Sequence, residues 1–153
     1  MLNDGGSTEH VMSIVFLPDG RVLRQKSTAV KVSAEKKLWS ASLVTKMTYQ
    51  ATARQAAQDV FYMILGSRLE NLKHRIINVG CVTDPKYSLT VYVIRIRQEV
   101  TLNPSCFTEI SPMWYYELED DMRLWPQRYG EITKEAFRTF NILGPNVRKY
   151  IGD

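Results

Sequence analysis

The sequence has few of the residues that build metal sites or disulfide frameworks. Its 153 residues include two histidines, His10 and His74, and neither has a second ligand at the spacing of a zinc site. The two cysteines, Cys81 and Cys106, form no C-x-x-C motif and no disulfide pattern. Cys81 stands in an apolar run, so we expect it in the core. These shortages argue against a zinc protein and fit a reducing cytosol.

Long apolar runs and blocks of one charge are also missing. No run approaches the roughly 20 apolar residues of a membrane span, and residues 1–9 lack the pattern of a secretory signal. We expect a cytoplasmic protein with a flexible segment over residues 1–9 and one domain over residues 10–153. A net charge of +4 and a pI near 9.1 favour anionic partners such as nucleotides, RNA or acidic surfaces. Four scattered lysines predict a solvated loop: Lys26, Lys31, Lys36 and Lys37.

Hydrophobic periodicity predicts a mixed sheet flanked by helices. The predicted strands span residues 11–17, 21–26, 38–44, 75–83 and 88–98, and the two long helices span residues 48–65 and 131–143. Thr48 and Thr133 are expected to cap these helices. Residues 113–116 are expected to form a short strand that leads into an acidic helix.

The first long helix has a polar face made of Arg54, Gln55, Gln58 and Asp59. Arg54 and Gln58 are four residues apart, as are Gln55 and Asp59, so each pair is adjacent on the helix surface. Taken alone, this face is what any solvated helix presents.

Three stretches, taken in order, resemble the Nudix family, in particular the branch that includes isopentenyl diphosphate isomerase. Residues 11–26 are similar to the opening strand pair of the family, and Leu38-Trp39-Ser40-Ala41-Ser42 is similar to its tryptophan segment. Glu109-Ile110 and Met113-Trp114-Tyr115, followed by an acidic helix, are similar to its C-terminal elements. The resemblance implies an α+β fold, a Nudix-like α/β/α sandwich around a mixed β-sheet.

The catalytic motif of that family, the Nudix box, departs from its usual pattern here. In the family a glycine-rich loop precedes a helix whose Arg-Glu and Glu-Glu residues hold divalent metals against a diphosphate. Arg54 keeps the arginine, whereas Gln55, Gln58 and Asp59 replace the three glutamates. Glutamine offers only a neutral carbonyl, and magnesium prefers charged carboxylates, so Asp59 alone would be a weak metal ligand. The resemblance therefore implies impaired diphosphate cleavage.

Two alignments of the box loop stay open. An ungapped alignment places Ser40 at the loop glycine and Lys46 at the loop glutamate. An alignment anchored on Trp39 places Thr45 at the glycine and shortens the loop. Under either alignment both the glycine and the glutamate are lost.

The resemblance supports a catalytically impaired Nudix-fold protein that binds a nucleotide or nucleoside-diphosphate-like ligand as a sensor or regulatory module. Positive side chains would then replace the metal as counter-charge for phosphate, so no cofactor is required. The candidate ligand-binding residues are Lys46, Arg54, Arg95 and Arg97. Arg95 and Arg97 fall on the same side of their strand by alternation.

Two alternatives remain. A structural scaffold in a larger assembly, possibly a ribonucleoprotein, would use the acidic residues 117–121 and the aromatics as its interface, although large aromatics are more often packed in the core: Trp114, Tyr115, Tyr116 and Trp125. A divergent diphosphate hydrolase would need magnesium held by relocated carboxylates, such as Glu109, Glu117 and Glu119 together with Asp59.

Overall fold

The computed structural model describes residues 8–27, 38–45, 52–65, 69–84, 87–102 and 108–151. The strands in these ranges are β1 (Thr8–Phe16), β2 (Arg21–Ser27), β3 (Ser42–Thr45), β4 (His74–Asp84), β5 (Tyr87–Ile96) and β6 (Thr108–Trp114). The helices are α1 (Ala53–Leu65), α2 (Tyr115–Leu124), α3 (Glu131–Thr139) and α4 (Arg148–Ile151). None of the described helices is long and apolar enough to cross a membrane.

β1 is a central strand of the mixed sheet, whose order is β4-β5-β1-β2-β6 with β3 also paired to β1. It runs parallel to β5, with Met12 opposite Val91, and antiparallel to β3, with Met12 opposite Leu43. Residues 11–16 are at most 2% exposed. A strand that is buried on both faces requires a nearly continuous apolar sequence, and this run, with Ser13 as its one polar residue, fits the middle of the sheet.

Helices cover both faces of the sheet. On one face, Ala56 and Ala57 of α1 pack against Val11 and Tyr92. On the other face, alternate residues of β1 and β5 form the main core with residues from α2 to α4: Leu118, Ala136, Phe137, Val147 and Tyr150. This α/β/α arrangement around a mixed sheet confirms the predicted fold class.

The long helices differ from their predicted bounds. α1 begins at Ala53, where the Thr52 hydroxyl accepts a 3.1 Å hydrogen bond from the Gln55 backbone N–H; the predicted cap, Thr48, lies outside the described residues. The predicted cap of α3 was wrong, because Thr133 lies inside that helix and its hydroxyl accepts a hydrogen bond from the Ala41 N–H.

Two predictions about individual side chains were also wrong. Cys81 is exposed, because β4 is an edge strand and its alternate residues face away from the core. Lys26 lies in β2, which agrees with the predicted strand over residues 21–26 and not with the solvated loop to which it was also assigned, and its Nζ lies over an aromatic ring. Lys31, Lys36 and Lys37 lie outside the described residues.

Three of the four aromatic side chains near α2 are exposed rather than packed in the core. Trp114 is 36% exposed, Tyr116 53% and Trp125 46%. The Trp114 and Tyr116 rings stack with their centroids 6.2 Å apart, whereas Tyr115 packs partly against the main core.

Candidate functional site

α1 presents the predicted polar face to solvent. Arg54, Gln55 and Asp59 are exposed and Gln58 is half-buried. Burial raises the pKa of Tyr92 beneath the helix, and the positive charge of Arg54 opposes that rise, so Arg54 lies close enough to the sheet to act on its electrostatics. This face therefore combines one cation, two neutral amides and one carboxylate.

Such a face does not match the donor set that magnesium prefers, which is rich in charged carboxylates. In the described ranges, no three side chains of the His, Cys, Asp or Glu type come together in a group able to hold a metal ion. The described side chains on the polar face of α1 therefore do not fit a bound magnesium ion.

The predicted cations do not gather around α1. Arg95 lies on the same face of β5 as Val93, whose side chain belongs to the main core under α2 and α3. α1 packs on the opposite face, so the sheet separates Arg54 from Arg95. Arg97 is exposed and follows the end of β5, where its N–H donates a 2.8 Å hydrogen bond to the carbonyl of Lys73.

The remaining predicted positions lie in β-structure or outside the described residues. Ser40 exchanges two backbone hydrogen bonds of 2.8 and 2.9 Å with Gln25 of β2, and Thr45 is the last residue of β3. Glu109 lies in β6, but its side chain is outside what is described, as is the whole of Lys46. The choice between the two loop alignments stays open.

A second group of polar side chains surrounds Trp39, on the face of the sheet that α1 does not cover. The guanidinium carbon of Arg24 lies 4.2 Å from the centre of a ring of Trp39, and the Lys26 Nζ lies 4.6 Å from it. Both cations share one face of β2 by strand alternation, and each is attracted to the negative face of the indole. Trp39 itself is held by backbone hydrogen bonds to Arg128 and Gly130, at 2.8 and 3.0 Å.

Asp121 of α2 links Arg24 to Tyr129 and Arg128. Its carboxylate accepts a 2.6 Å hydrogen bond from the Tyr129 hydroxyl, and that hydroxyl accepts a 2.8 Å bond from Arg24. Arg24 and Arg128 also approach the carboxylate, at 3.5 and 3.6 Å. Arg24 further donates to Ser111 on β6 at 3.4 Å. One network therefore joins β2, β6, α2 and the turn before α3.

Burial divides this network into an inner and an outer part. The side chains of Arg24 and Asp121 are 14% and 17% exposed, whereas Arg128 is 53% exposed. Removing one partner of a largely buried ion pair leaves the other charge uncompensated and is strongly destabilising, so the inner pair fixes the position of α2. The Arg24 Nε is buried without a hydrogen-bond partner among the described residues.

Tyr129 stays a hydrogen-bond donor over the whole physiological range. Burial, followed by the hydrogen bond to Asp121, raises the pKa of its hydroxyl to about 12 in spite of the opposing positive charge of Arg24. The side chain is 2% exposed. The neutral phenol therefore anchors the carboxylate at neutral pH.

The outer part offers an accessible aromatic surface. The Arg128 guanidinium lies 4.8 Å from a ring centre of Trp125, which is 46% exposed. We use the name Trp39 cluster for this whole set of residues: Arg24, Lys26, Trp39, Asp121, Trp125, Arg128 and Tyr129. It combines two indole rings and three cations with a single carboxylate. Rings that stack on bases and cations that bind phosphates are the groups used to hold nucleotide-like anions.

Sequence reasoning missed most of this cluster. The signal was present in β2, where Arg24 and Lys26 alternate on a strand that precedes a tryptophan. No local pattern relates Asp121 or Tyr129 to Arg24, because the pairing across β2 and β6 brings together residues that are distant in the chain.

No protein-family model and no curated protein matches the sequence, but solved structures match the fold. RenU, a Nudix hydrolase from M. smegmatis, aligns over 92% of this chain and 86% of its own with a TM-score of 0.61 and 14% identity. A bifunctional NMN adenylyltransferase/ADP ribose pyrophosphatase from Francisella tularensis aligns over 92% of this chain and 42% of its own, with a TM-score of 0.63 and 12% identity.

A third structure shows the same similarity in a domain solved with a protein partner. The C-terminal domain of mouse MUTYH, in complex with human PCNA, aligns over 96% of this chain and 99% of its own, with a TM-score of 0.64 and 13% identity. Identities at this level establish the fold alone. Together with the mixed sheet enclosed between α1 and α2–α4, these similarities show that the chain has the Nudix fold.

Proposed function

We propose that this chain is a Nudix-fold sensor or regulatory module that binds an anionic, nucleotide-like ligand without a metal and without cleaving it. The observation that carries the proposal is the Trp39 cluster. Arg24 and Lys26 lie over the indole of Trp39, and Arg128 lies over the indole of Trp125 and approaches the Asp121 carboxylate.

The parts of the cluster have different proposed roles. Arg24 is engaged by Asp121 and Tyr129, so we assign it to positioning the surface rather than to the ligand. Arg128 and Trp125 are exposed and would contact the ligand directly, the guanidinium through phosphate oxygens and the indole by stacking. Bidentate guanidinium–phosphate pairing supplies direction as well as charge.

The polar face of α1 supports the absence of catalysis in this proposal. It offers one carboxylate, Asp59, where a metal-dependent diphosphate hydrolase needs several. Ligand contact stays a prediction for four cations: Lys46, Arg54, Arg95 and Arg97. Because Arg54 and Arg95 lie on opposite faces of the sheet, one small ligand would not contact both.

A thermal-shift screen tests this function. The probes are ADP-ribose, nucleoside diphosphates and pyrophosphate, each with EDTA and with Mg²⁺. A ligand that binds only the native state at about 100 times its Kd adds about 2.7 kcal/mol of stability, which gives a clear rise in Tm. We expect such a rise in EDTA for at least one nucleotide-like probe.

Matched variants locate the binding surface. Trp125→Ala and Arg128→Ala should each lower the affinity for the ligand about tenfold, in line with the 1–3 kcal/mol of a base–aromatic stack. Trp114→Ala and Arg148→Ala are controls, since each removes an exposed side chain of the same kind elsewhere. Equal losses in the control variants, or no shift with any probe, would rule out the proposed site.

The exposed aromatics favour a second candidate function, a protein-interaction scaffold. Trp114 and Tyr116 stack on one another in the solvent-facing region where β6 meets α2, and large exposed apolar patches mark interaction surfaces. The MUTYH domain with the same fold was solved bound to a protein. Cross-linking with mass spectrometry in native extract tests this role, and loss of a specific partner with Trp114→Ala but not with Trp125→Ala would support it.

A further inference from the structure

Two neighbouring strands bring four cations together at one end of the sheet. Arg75 of β4 lies directly opposite Arg95 of β5. Two residues further along each chain, the Arg97 N–H donates a 2.8 Å hydrogen bond to the carbonyl of Lys73. The Lys73 N–H in turn donates to the Gln98 side chain at 2.7 Å, so the two chains stay paired just beyond the strand ends. By strand alternation the four cations point to one face.

Like charges in this arrangement do not stabilise a sheet. Residues directly opposite each other in an antiparallel pair have Cβ atoms about 4.5–5.5 Å apart, and like charges there are destabilising. Arg75 opposes Arg95 in this way, and Lys73 and Arg97 repeat the pattern at the next position on that face. The pairing of β4 with β5 therefore gives no reason for cations at these positions.

Three of the four cations are open to a partner. Lys73, Arg75 and Arg97 are exposed, whereas Arg95 is half-buried. In the described part of the chain, the side chains of the exposed three form no ion pair. Their positive charge is therefore available to anions from outside the chain, and we assign the contacts to these three alone.

The surface around these cations has neither an apolar nor an aromatic exposed residue. Residues 70–75 and 95–99 expose only polar and charged side chains: Glu70, Asn71, Lys73, Arg75, Arg97 and Glu99. The two glutamates form no ion pair with the cations among the described contacts. A protein partner would need an interface core enriched in aromatic residues, and a single-stranded nucleic acid would need rings on which its bases stack. The phosphate backbone of a duplex needs only charge and hydrogen-bond donors.

We propose that Lys73, Arg75 and Arg97 form a docking surface for the phosphate backbone of a double-stranded nucleic acid. The two guanidinium groups would pair with phosphate oxygens in a bidentate manner, and the lysine would act as a point charge. Because phosphates carry no sequence information, binding would not depend on base sequence. This surface shares no residue with the Trp39 cluster, so it is a further binding function.

Fluorescence anisotropy of a labelled duplex over a series of KCl concentrations tests the inference on the full chain. The duplex has about 20 base pairs, more than the roughly 16 that duplex-binding domains cover, and is used in DNA and in RNA form. Each neutralised phosphate adds about 0.9 to the slope of log K against log salt, so three contacts predict a slope of about −2.7.

The slope and the competitors decide the outcome. Binding of either duplex with that slope would support the proposal. A single strand of the same sequence, or polyglutamate, that binds as tightly as the duplex would overturn it, as would a lack of binding by both duplexes.

Variants of Arg75 and Lys73 locate the surface without touching the predicted contacts of the nucleotide-like ligand. Arg75→Gln and Lys73→Gln should each lower the duplex affinity about fivefold, equal to about 1 kcal/mol, and reduce the salt slope by about 1. Arg148→Gln is the matched control, because it removes the same charge from an exposed residue of α4. An equal loss in Arg148→Gln, or no loss in the other two variants, would overturn the assignment.

A stability measurement separates this role from a structural one. Because Arg75 opposes another arginine, Arg75→Gln should leave the urea midpoint unchanged or raise it. A lower midpoint would show that Arg75 supports the fold and would overturn its assignment to a partner.

Discussion

The Tyr129 hydroxyl donates a 2.6 Å hydrogen bond to the carboxylate of Asp121. The same oxygen accepts a bond from Arg24 on β2, 105 residues earlier in the sequence, so one buried phenol links helix α2 to strand β2. Since Trp39 lies against that arginine, the geometry of the proposed ligand surface depends on this contact.

Replacing Tyr129 with phenylalanine should lower the free energy of unfolding by about 1–2 kcal/mol, because a buried hydrogen-bonded hydroxyl is lost while its partners remain. Urea denaturation followed by tryptophan fluorescence measures the change. Tyr116→Phe is the control, since Tyr116 is 53% exposed and should change stability by less than about 0.5 kcal/mol. Equal effects in the two variants would contradict a structural role for the Tyr129 hydroxyl.

The stability of the protein should depend on Tyr129 in strongly alkaline solution. The pKa of this hydroxyl is raised from 10.0 to about 12 on folding, chiefly by burial, so the unfolded chain releases the proton first. The contribution is complete below pH 10 and is lost as the pH rises through about 12.

An absorbance titration at the tyrosinate band gives the measurement. The difference between the unmodified protein and Tyr129→Phe should show a midpoint near 12. A difference midpoint at the ordinary tyrosine value would show that the hydroxyl is not held by the network.

Gly80 on β4 should not tolerate a side chain. Its φ is +146°, and a Cβ there would lie 2.5 Å from a ring carbon of Phe140. Gly80→Ala therefore combines backbone strain with overpacking and should cost about 2–4 kcal/mol, measured by chemical denaturation.

Gly130→Ala is the matched control, because a Cβ there meets nothing within 4 Å. At this position alanine is a poorer helix cap than glycine, which lowers the free energy of unfolding, but it also restricts the unfolded chain, which raises it. Each effect is about 0.5–1 kcal/mol, so we expect them to cancel. If Gly80→Ala were as stable as Gly130→Ala, the close packing of β4 on Phe140 would be refuted.

Asp59 should be dispensable for ligand binding. It is the single carboxylate among the named polar residues of α1, and the proposed function needs no metal there. Asp59→Ala should keep the affinity for a nucleotide-like ligand within about twofold of the unmodified protein, a change of under about 0.5 kcal/mol, by isothermal titration calorimetry. A large loss confined to Asp59→Ala and dependent on Mg²⁺ would favour the hydrolase alternative.

The sequence predicted the fold well because its signals were local and periodic. The nearly continuous apolar run of β1 marks a strand buried on both faces, and the stripe that contains Ala53 and Ala56 marks the side of α1 that faces the sheet. The prediction that Cys81 lies in the core was wrong, because alternate residues of an apolar run in an edge strand can still face solvent.

The candidate site was harder to predict because its contacts are long-range. Arg54 and Arg95 are both cationic and were both predicted to contact the ligand. Only the packing of α1 against Tyr92 shows that the sheet lies between them. Conversely, Arg24 and Tyr129 are linked by β2–β6 pairing and by the turn after α2, which no spacing rule connects.

Metal-free binding without cleavage can be measured by isothermal titration calorimetry of the tightest nucleotide-like probe from the thermal-shift screen, in EDTA and then in Mg²⁺. Phosphorus NMR of the recovered ligand then shows whether its diphosphate is intact. We expect the same affinity in both buffers and an intact diphosphate after incubation. Binding that requires Mg²⁺, with phosphate-containing products in the NMR spectrum, would contradict this expectation and show the chain to be a hydrolase.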